Sequence, residues 1–280
     1  MKLYKTAKGF VIEDDGQYYL SKHTNWDEFV NRENLYFEIK REIQSLTASF
    51  DNLDLVKNFV QAPIQNQEVW ASGVTYMRSK AARMEESKDS GGGDFYDRVY
   101  DAARPELFFK ATAGRVVGPG ENIRIRKDSK WNVPEPELTL FMNSKGVISG
   151  YTVGNDVSSR DIEGENPLYL PQAKSYDKSA ALGPCIFVSD EPISPETEIK
   201  LEIFRNGSAV FSQSIEINQM KRSHQELVDY LFTECSFNNG VFLMTGTGII
   251  PEDSFSLQVG DVVDITIENI GTLSNTVETK

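Results

Sequence analysis

Val133-Pro134-Glu135-Pro136-Glu137-Leu138-Thr139-Leu140-Phe141 is followed by Asn143-Ser144-Lys145-Gly146 and then by Val147-Ile148-Ser149-Gly150-Tyr151-Thr152-Val153. Each proline biases the residue before it toward extended backbone, so Val133 and Glu135 are disfavoured from helix. Residues two apart on an extended chain point to the same side, and Glu135 and Glu137 therefore project together. Asn143 to Gly146 is a good hairpin turn, and the run after it is a second strand. Antiparallel pairing across that turn sets Glu137 opposite about Thr152 and Glu135 opposite about Gly154. Asp156 then lies just past the second strand, at the same end as the glutamate pair.

Three converging carboxylates repel one another, and a partly buried site must compensate them. A hard divalent cation does so, because Mg²⁺ and its relatives prefer oxygen ligands and keep open water positions. Mg²⁺ suits Glu135, Glu137 and Asp156 best, with Mn²⁺ or Ca²⁺ as alternatives. Zinc suits them less, since neither His23, His224, Cys185 nor Cys235 is near in sequence. On spacing alone the same acids could simply solvate a sheet edge.

Outward from the hairpin, residues Val69 onward consist of short β-like runs punctuated by glycine and proline, such as Ile123–Ile125, Cys185–Val188, Lys200–Phe204 and Val262–Ile267. Such punctuation predicts a β-rich sandwich or barrel-like architecture. One helix is predicted over Thr75–Ser87. Another starts at Ser223, where Ser223-His224-Gln225-Glu226 has capping-box form. Asp89–Asp94 is a polar, glycine-rich loop, either a lid or a linker. Residues Trp26 to Phe50 and Leu53 to Val60 carry apolar positions near helical spacing. The predicted division is a small N-terminal α+β domain over residues 1–65 and a larger domain over residues 66–280.

The 280 residues are 39% hydrophobic and 25% charged, as in an ordinary globular protein. A net charge of −13 without a basic footprint argues against a nucleic-acid partner. No apolar run approaches the ~20 residues that span a membrane. The N-terminus lacks a secretory apolar core, and two cysteines cannot build a framework of disulfides, so a cytoplasmic location is expected.

Pro134-Glu135-Pro136-Glu137 with Gly154-Asn155-Asp156-Val157-Ser158-Ser159-Arg160-Asp161 resembles the Glu-x-Glu…Asp metal site of the fumarylacetoacetate hydrolase superfamily. Lys174, Gly183-Pro184, Thr245-Gly246-Thr247-Gly248, Gly260-Asp261-Val262-Val263 and Ile270-Gly271 extend the resemblance over roughly Val69 to Asn275. It implies an α+β fold with a mixed β-roll core, a bound Mg²⁺, and a homodimer or homotetramer.

Within that superfamily, Arg104-Pro105-Glu106-Leu107-Phe108-Phe109-Lys110 and Ile162 through Lys174 are similar to the branch that dehydrates 2-keto-3-deoxy-D-arabinonate to 2,5-dioxopentanoate. Members that hydrolyse carbon–carbon bonds typically carry Gly-x-Asn-Tyr-x-x-His, whose histidine activates water. Here the stretch is Gly73-Val74-Thr75-Tyr76-Met77-Arg78-Ser79, and Ser79 is a poor general base. The resemblance thus implies a lyase acting on a small 2-oxo acid, the cation stabilising the enolate left when a C3 proton departs. Glu106 and Lys174 are the candidate acid–base pair, in either order. A surface acid and a salt-bridging lysine are the plainer alternatives for them. Thr245, Gly246 and Thr247 are candidates to hold the substrate carboxylate, Arg78 and Arg83 to close over an anion, and Tyr169 and Gln172 to line the pocket. Two other functions remain open: a hydrolase or decarboxylase of a diketo acid, and a catalytically silent sugar-acid-binding protein.

Overall fold

The computed structural model describes residues 1–78 and 98–280. Most of the predicted Thr75–Ser87 helix, together with Ser79, Arg83 and the Asp89–Asp94 loop, lies outside the described residues. Two sheets dominate. The larger runs in the order Gln17–Leu20, Gly9–Asp14, Lys2–Thr6, Ala180–Phe187, Ile148–Asp156, Pro136–Met142, Val241–Met244, Glu68–Gly73, Glu106–Thr112, with the short Val116–Val117 strand beside Ala180–Phe187. The second runs Ser208–Glu216, Glu198–Arg205, Val262–Ile267, Gly271–Glu278, Asn122–Arg124. A small pair, Asn132–Val133 with Ser158–Ser159, closes the loops beside the hairpin.

Strand alternation decides what each face of the large sheet meets. Leu138, Leu140 and Val153 join Leu201, Ile203, Val263 and Ile265 in one buried core, so this face packs on the second sheet. Phe141, Phe242, Leu182 and Ile186 belong to a second core with Leu3, Ile12, Trp26, Phe29 and Ile39. The N-terminal residues thus pair with the edge of Ala180–Phe187 through Lys2 and Leu3 and supply the cover for the opposite face. Each such fully buried side chain contributes about 1.5–3 kcal/mol of transfer free energy.

The region predicted to be helical from Trp26 is two helices, Trp26–Val30 and Leu35–Ile43. Asn34 separates them with a φ of 51°, a left-handed conformation that asparagine tolerates better than most residues. The predicted second segment forms as Asp51–Phe59. Ser223 caps His224–Phe232 as its spacing implies, its Oγ accepting from the Glu226 amide at 3.1 Å. Cys185 is buried in Ala180–Phe187, and Cys235 is exposed. Among the described residues, no helix is long and apolar enough to cross a membrane.

The hairpin forms, with a different register. Glu137 faces Gly154 and Thr139 faces Thr152, a shift of two residues from the expected pairing. Two local features account for it. The connection spans five residues, with the Asn143 side chain accepting from the Lys145 and Val147 amides. The ladder then slips by one residue between Ile148 and Gly150, a bulge at Ser149. As a result Asp156 lies directly across from Glu135, and its amide donates to the Glu135 carbonyl at 3.0 Å.

Candidate active site

One ligand oxygen from each of Glu135, Glu137 and Asp156 falls within 4.8 Å of the others, and all three residues are buried. Glu137 sits near the start of Pro136–Met142, and Asp156 ends its partner strand. Beside them the Val241–Met244 strand runs out into Thr245-Gly246-Thr247. The Thr245 amide and Oγ1 both donate to the Leu138 carbonyl, at 3.1 and 2.8 Å. This fixes the Gly246 amide, which donates to Glu137 Oε2 at 2.6 Å.

Cations surround the acids. Lys174, 1% exposed, donates through Nζ to Glu135 Oε2 at 2.7 Å, Asp156 Oδ2 at 3.2 Å and Ser158 Oγ at 2.6 Å. Lys110, fully buried, pairs with Asp156 Oδ1 at 2.5 Å and donates to the Val157 and Lys174 carbonyls. Arg160 donates through Nη2 to Glu135 Oε1 at 2.6 Å. Glu163 is buried 4.0 Å from both the Arg160 guanidinium and the Lys174 ammonium.

Even inside this frame the triad is short of positive charge. Burial, then the charges of Asp156 and Glu135, hold the Glu137 carboxyl well above its ordinary range. Burial likewise lowers Lys110, with the Asp156 carboxylate acting against it. Three buried, hard oxygen donors within reach of one another, one of them driven toward protonation by burial and then by its neighbours, fit a hard divalent cation such as Mg²⁺.

Ser72, Gly73, Val74, Phe108, Glu135, Arg160, Lys174, Gly246 and Thr247 line the cleft above the triad. Glu106 reaches its rim. It pairs across the sheet with Gly73, and a Cβ on that glycine would lie 2.0 Å from Glu106 Oε2, so the carboxylate rests against bare backbone. The ring of Phe108 lies 5.7 Å from Lys174 Nζ.

Of the expected site residues, Glu135, Lys174, Gly246 and Thr247 line the cleft, Glu137 and Asp156 are buried with Glu135 in the triad, and Glu106 lies against Gly73. Thr245 supports them from behind, and Thr247 Oγ1 donates to the Ile249 carbonyl at 3.2 Å. Arg78, Tyr169 and Gln172 are not among the lining residues. Arg78 is exposed and donates to the Ile250 carbonyl at 3.1 Å. Tyr169 is 38% exposed, and Gln172 is exposed, its carbonyl accepting from Arg126 Nη1. Lys110, Arg160, Ser158 and Glu163 are the site residues the sequence reading did not single out. For Lys110 a signal existed: a lone charge between Phe109 and Ala111 in a β-like run is an inward charge in need of a partner.

The profile of the family described as fumarylacetoacetate (FAA) hydrolase C-terminal matches residues 69–278. The chain belongs to the fumarylacetoacetate hydrolase family. Within this family it is 48% identical over 244 residues to a probable 2-keto-3-deoxyxylonate dehydratase of Haloferax volcanii, covering 86% of this chain and 83% of that one. It is 44% identical over 246 residues to the 2-dehydro-3-deoxy-D-arabinonate dehydratase of Saccharolobus solfataricus, covering 85% and 83%. A solved structure of 2-keto-3-deoxy-D-arabinonate dehydratase complexed with magnesium and 2,5-dioxopentanoate superposes with a TM-score of 0.85 at 38% identity, over 100% of this chain and 99% of that one. The family's α+β architecture, a mixed β core with peripheral helices, is thus the architecture found here.

Proposed function

We propose that this chain is a divalent-metal-dependent hydro-lyase that dehydrates a 2-keto-3-deoxy sugar acid, 2-keto-3-deoxy-D-arabinonate or its xylonate counterpart, to 2,5-dioxopentanoate. The observation that carries the reading is the buried Glu135–Glu137–Asp156 triad with the Lys174 ammonium in contact with two of its members. The dehydratase names of its close relatives support it. A cation held by the three carboxylates supplies Lewis acidity to the 2-oxo acid end of the substrate.

The chain's own groups supply the rest. Elimination requires removal of a proton from C3 and delivery of one to the departing C4 hydroxyl. We assign the transfers to Lys174 Nζ, whose residue lines the cleft, and to the Glu106 carboxylate, which lies against the lining residue Gly73. The Gly246 amide holds Glu137 in place and Thr245 is tied to the Leu138 carbonyl, so within the turn we assign the substrate carboxylate to Thr247, which lines the cleft. The Phe108 ring excludes water from the side of Lys174.

The test is to incubate the purified chain with Mg²⁺ and a panel of 2-keto-3-deoxy pentonates and hexonates, following products by mass. Loss of one water to an aldehyde-bearing keto acid is expected. Two shorter fragments from a diketo acid, or binding without turnover on every substrate, would replace this reading with one of the other two.

We further propose a homodimer or homotetramer, with residues 1–65 as an appended N-terminal unit in a cytoplasmic enzyme. Light scattering of the purified protein checks the assembly, and a monomeric mass would refute it.

A further inference from the structure

Glu106 opens the Glu106–Thr112 strand, which among the described residues lies at the end of the large sheet, paired with Glu68–Gly73. Its cross-strand partner is Gly73. An anchor on the chain just before the strand sets how Glu106 enters it.

Arg222 does this. It is 7% exposed, and its guanidinium donates from Nη2 to the Val99 carbonyl at 3.0 Å and the Ala102 carbonyl at 2.6 Å. Nη1 donates to the Ala103 carbonyl at 3.3 Å and to Glu226 Oε1 at 2.6 Å. Residues 98–101 are helical, so these are the carbonyls a helix end leaves without intrahelical partners, and a cation there is favoured. Lys221 adds a bond from Nζ to the Tyr100 carbonyl at 2.6 Å. Tyr100 and Val99 pack on Val74, which lines the cleft. The chain then turns through Pro105 into Glu106. Nothing in the elimination chemistry calls on Arg222 itself.

We propose that Arg222 is a positioning residue for Glu106: it fixes the 99–103 segment from which Glu106 enters the cleft, and Glu226 fixes the plane of its guanidinium. A rigid fork with five N–H donors spans three carbonyls and a carboxylate, whereas a lysine reaches them only one contact at a time. The proposal rests on the assignment of Glu106 to the proton-transfer pair.

The experiment is a double-mutant cycle in the Mg²⁺-loaded full chain with Arg222→Met, Arg222→Lys, Glu106→Gln and the Arg222→Met/Glu106→Gln pair. Displacing a catalytic group by about 1 Å costs about 100-fold in rate. Arg222→Met is therefore expected to lower kcat about 100-fold while KM and Mg²⁺ affinity stay within about twofold, and Arg222→Lys falls between it and the parent. In the Glu106→Gln background the Arg222 change is expected to do nothing further. A lower Tm with unchanged kcat, or an equal loss of rate with and without Glu106, overturns the proposal. Parental turnover in Glu106→Gln removes the assignment of Glu106 itself, a distinct result that takes the proposal with it. If Arg222→Met does not fold, Glu226→Gln keeps the test open. It frees the guanidinium plane and is expected to lower kcat severalfold, again only when Glu106 is present. Parental kcat in Glu226→Gln counts against the proposal.

Discussion

Gly246→Ala tests the structural heart of the site. Gly246 has a φ of +91°, and a Cβ added there would lie 2.0 Å from Thr75 Oγ1 and 3.0 Å from the Ser72 carbonyl oxygen. Neither neighbour can yield freely. Thr75 Oγ1 donates to the Thr245 carbonyl at 2.7 Å, and Ser72 is backbone in a central strand. Left-handed backbone costs an alanine about 1–2 kcal/mol, and overpacking about 1–3 kcal/mol more. A loss of roughly 2–5 kcal/mol lowers Tm by roughly 3–9 °C in a chain of this size. Relaxation would pull the Gly246 amide from Glu137 Oε2, 2.6 Å away. A hydrogen bond to a charged acceptor is worth about 1.5–3 kcal/mol, so Mg²⁺ affinity should fall roughly 10- to 100-fold.

Gly207→Ala is the matched control: its φ is +77° and nothing lies within 4 Å of the added carbon. It should show the backbone cost alone, with parental Mg²⁺ affinity. Thermal unfolding with and without Mg²⁺, together with calorimetric titration of the metal, reads both variants. If Gly246→Ala unfolds no earlier than Gly207→Ala, or binds Mg²⁺ as the parent does, the amide–Glu137 contact does not shape the site.

Three further outcomes are expected. Glu137 binds its proton more tightly in the folded metal-free chain than in the unfolded one. Metal-free stability therefore falls as pH rises from the ordinary carboxyl range toward the raised value, while Mg²⁺ affinity rises over the same window with release of a proton. Titration in two buffers of different ionisation enthalpy measures that proton, and zero release contradicts the coupling. His224 is the reverse case: burial lowers it to about 4 from an ordinary 6.5. Its contribution is complete above pH 6.5 and is lost as pH falls toward 4, by about 3 kcal/mol. Urea unfolding of the parent and His224→Phe should differ in that acid slope, and equal slopes would be the adverse result. Lys174→Met should lower turnover roughly 10²- to 10⁴-fold and destabilise the metal-free chain by about 3–5 kcal/mol. Turnover within about twofold of the parent would take Lys174 out of the chemistry.

The parts of the site legible in the sequence are those set by local backbone rules. Proline before and between Glu135 and Glu137 dictates extended chain, and extended chain alone puts the two acids on one side. The Ser223 cap is equally local. Register was not legible, because it depends on a five-residue connection and a bulge at Ser149 that no periodicity announces. Asp156 consequently faces Glu135 instead of trailing beyond it. Arg160 and Glu163 were hidden for another reason. They sit on Arg160–Glu165, a helix of six residues, too short to display an apolar stripe, and both point inward to charges distant in sequence. Only tertiary contact reveals that a charged run is a buried network.

That network also bears on the order in which the site fills. Glu135, Glu137, Asp156 and Glu163 carry four negative charges when ionised, against three positive ones on Lys110, Lys174 and Arg160. The frame is thus one charge short, and a proton on Glu137 closes the deficit in the metal-free chain. With all four acids ionised, a divalent cation takes the sum to +1, and a 2-oxo acid monoanion returns it to zero. Metal-free protein offers that anion no net positive site, so the substrate gains its electrostatic attraction only once the cation is held. Lys110 matters for the same reason. Being fully buried between Asp156 and the Lys174 carbonyl, it ties a proposed metal ligand to the residue to which we assign proton transfer, so on that reading the charge that recruits the substrate and the group that acts on it are fixed by one ammonium.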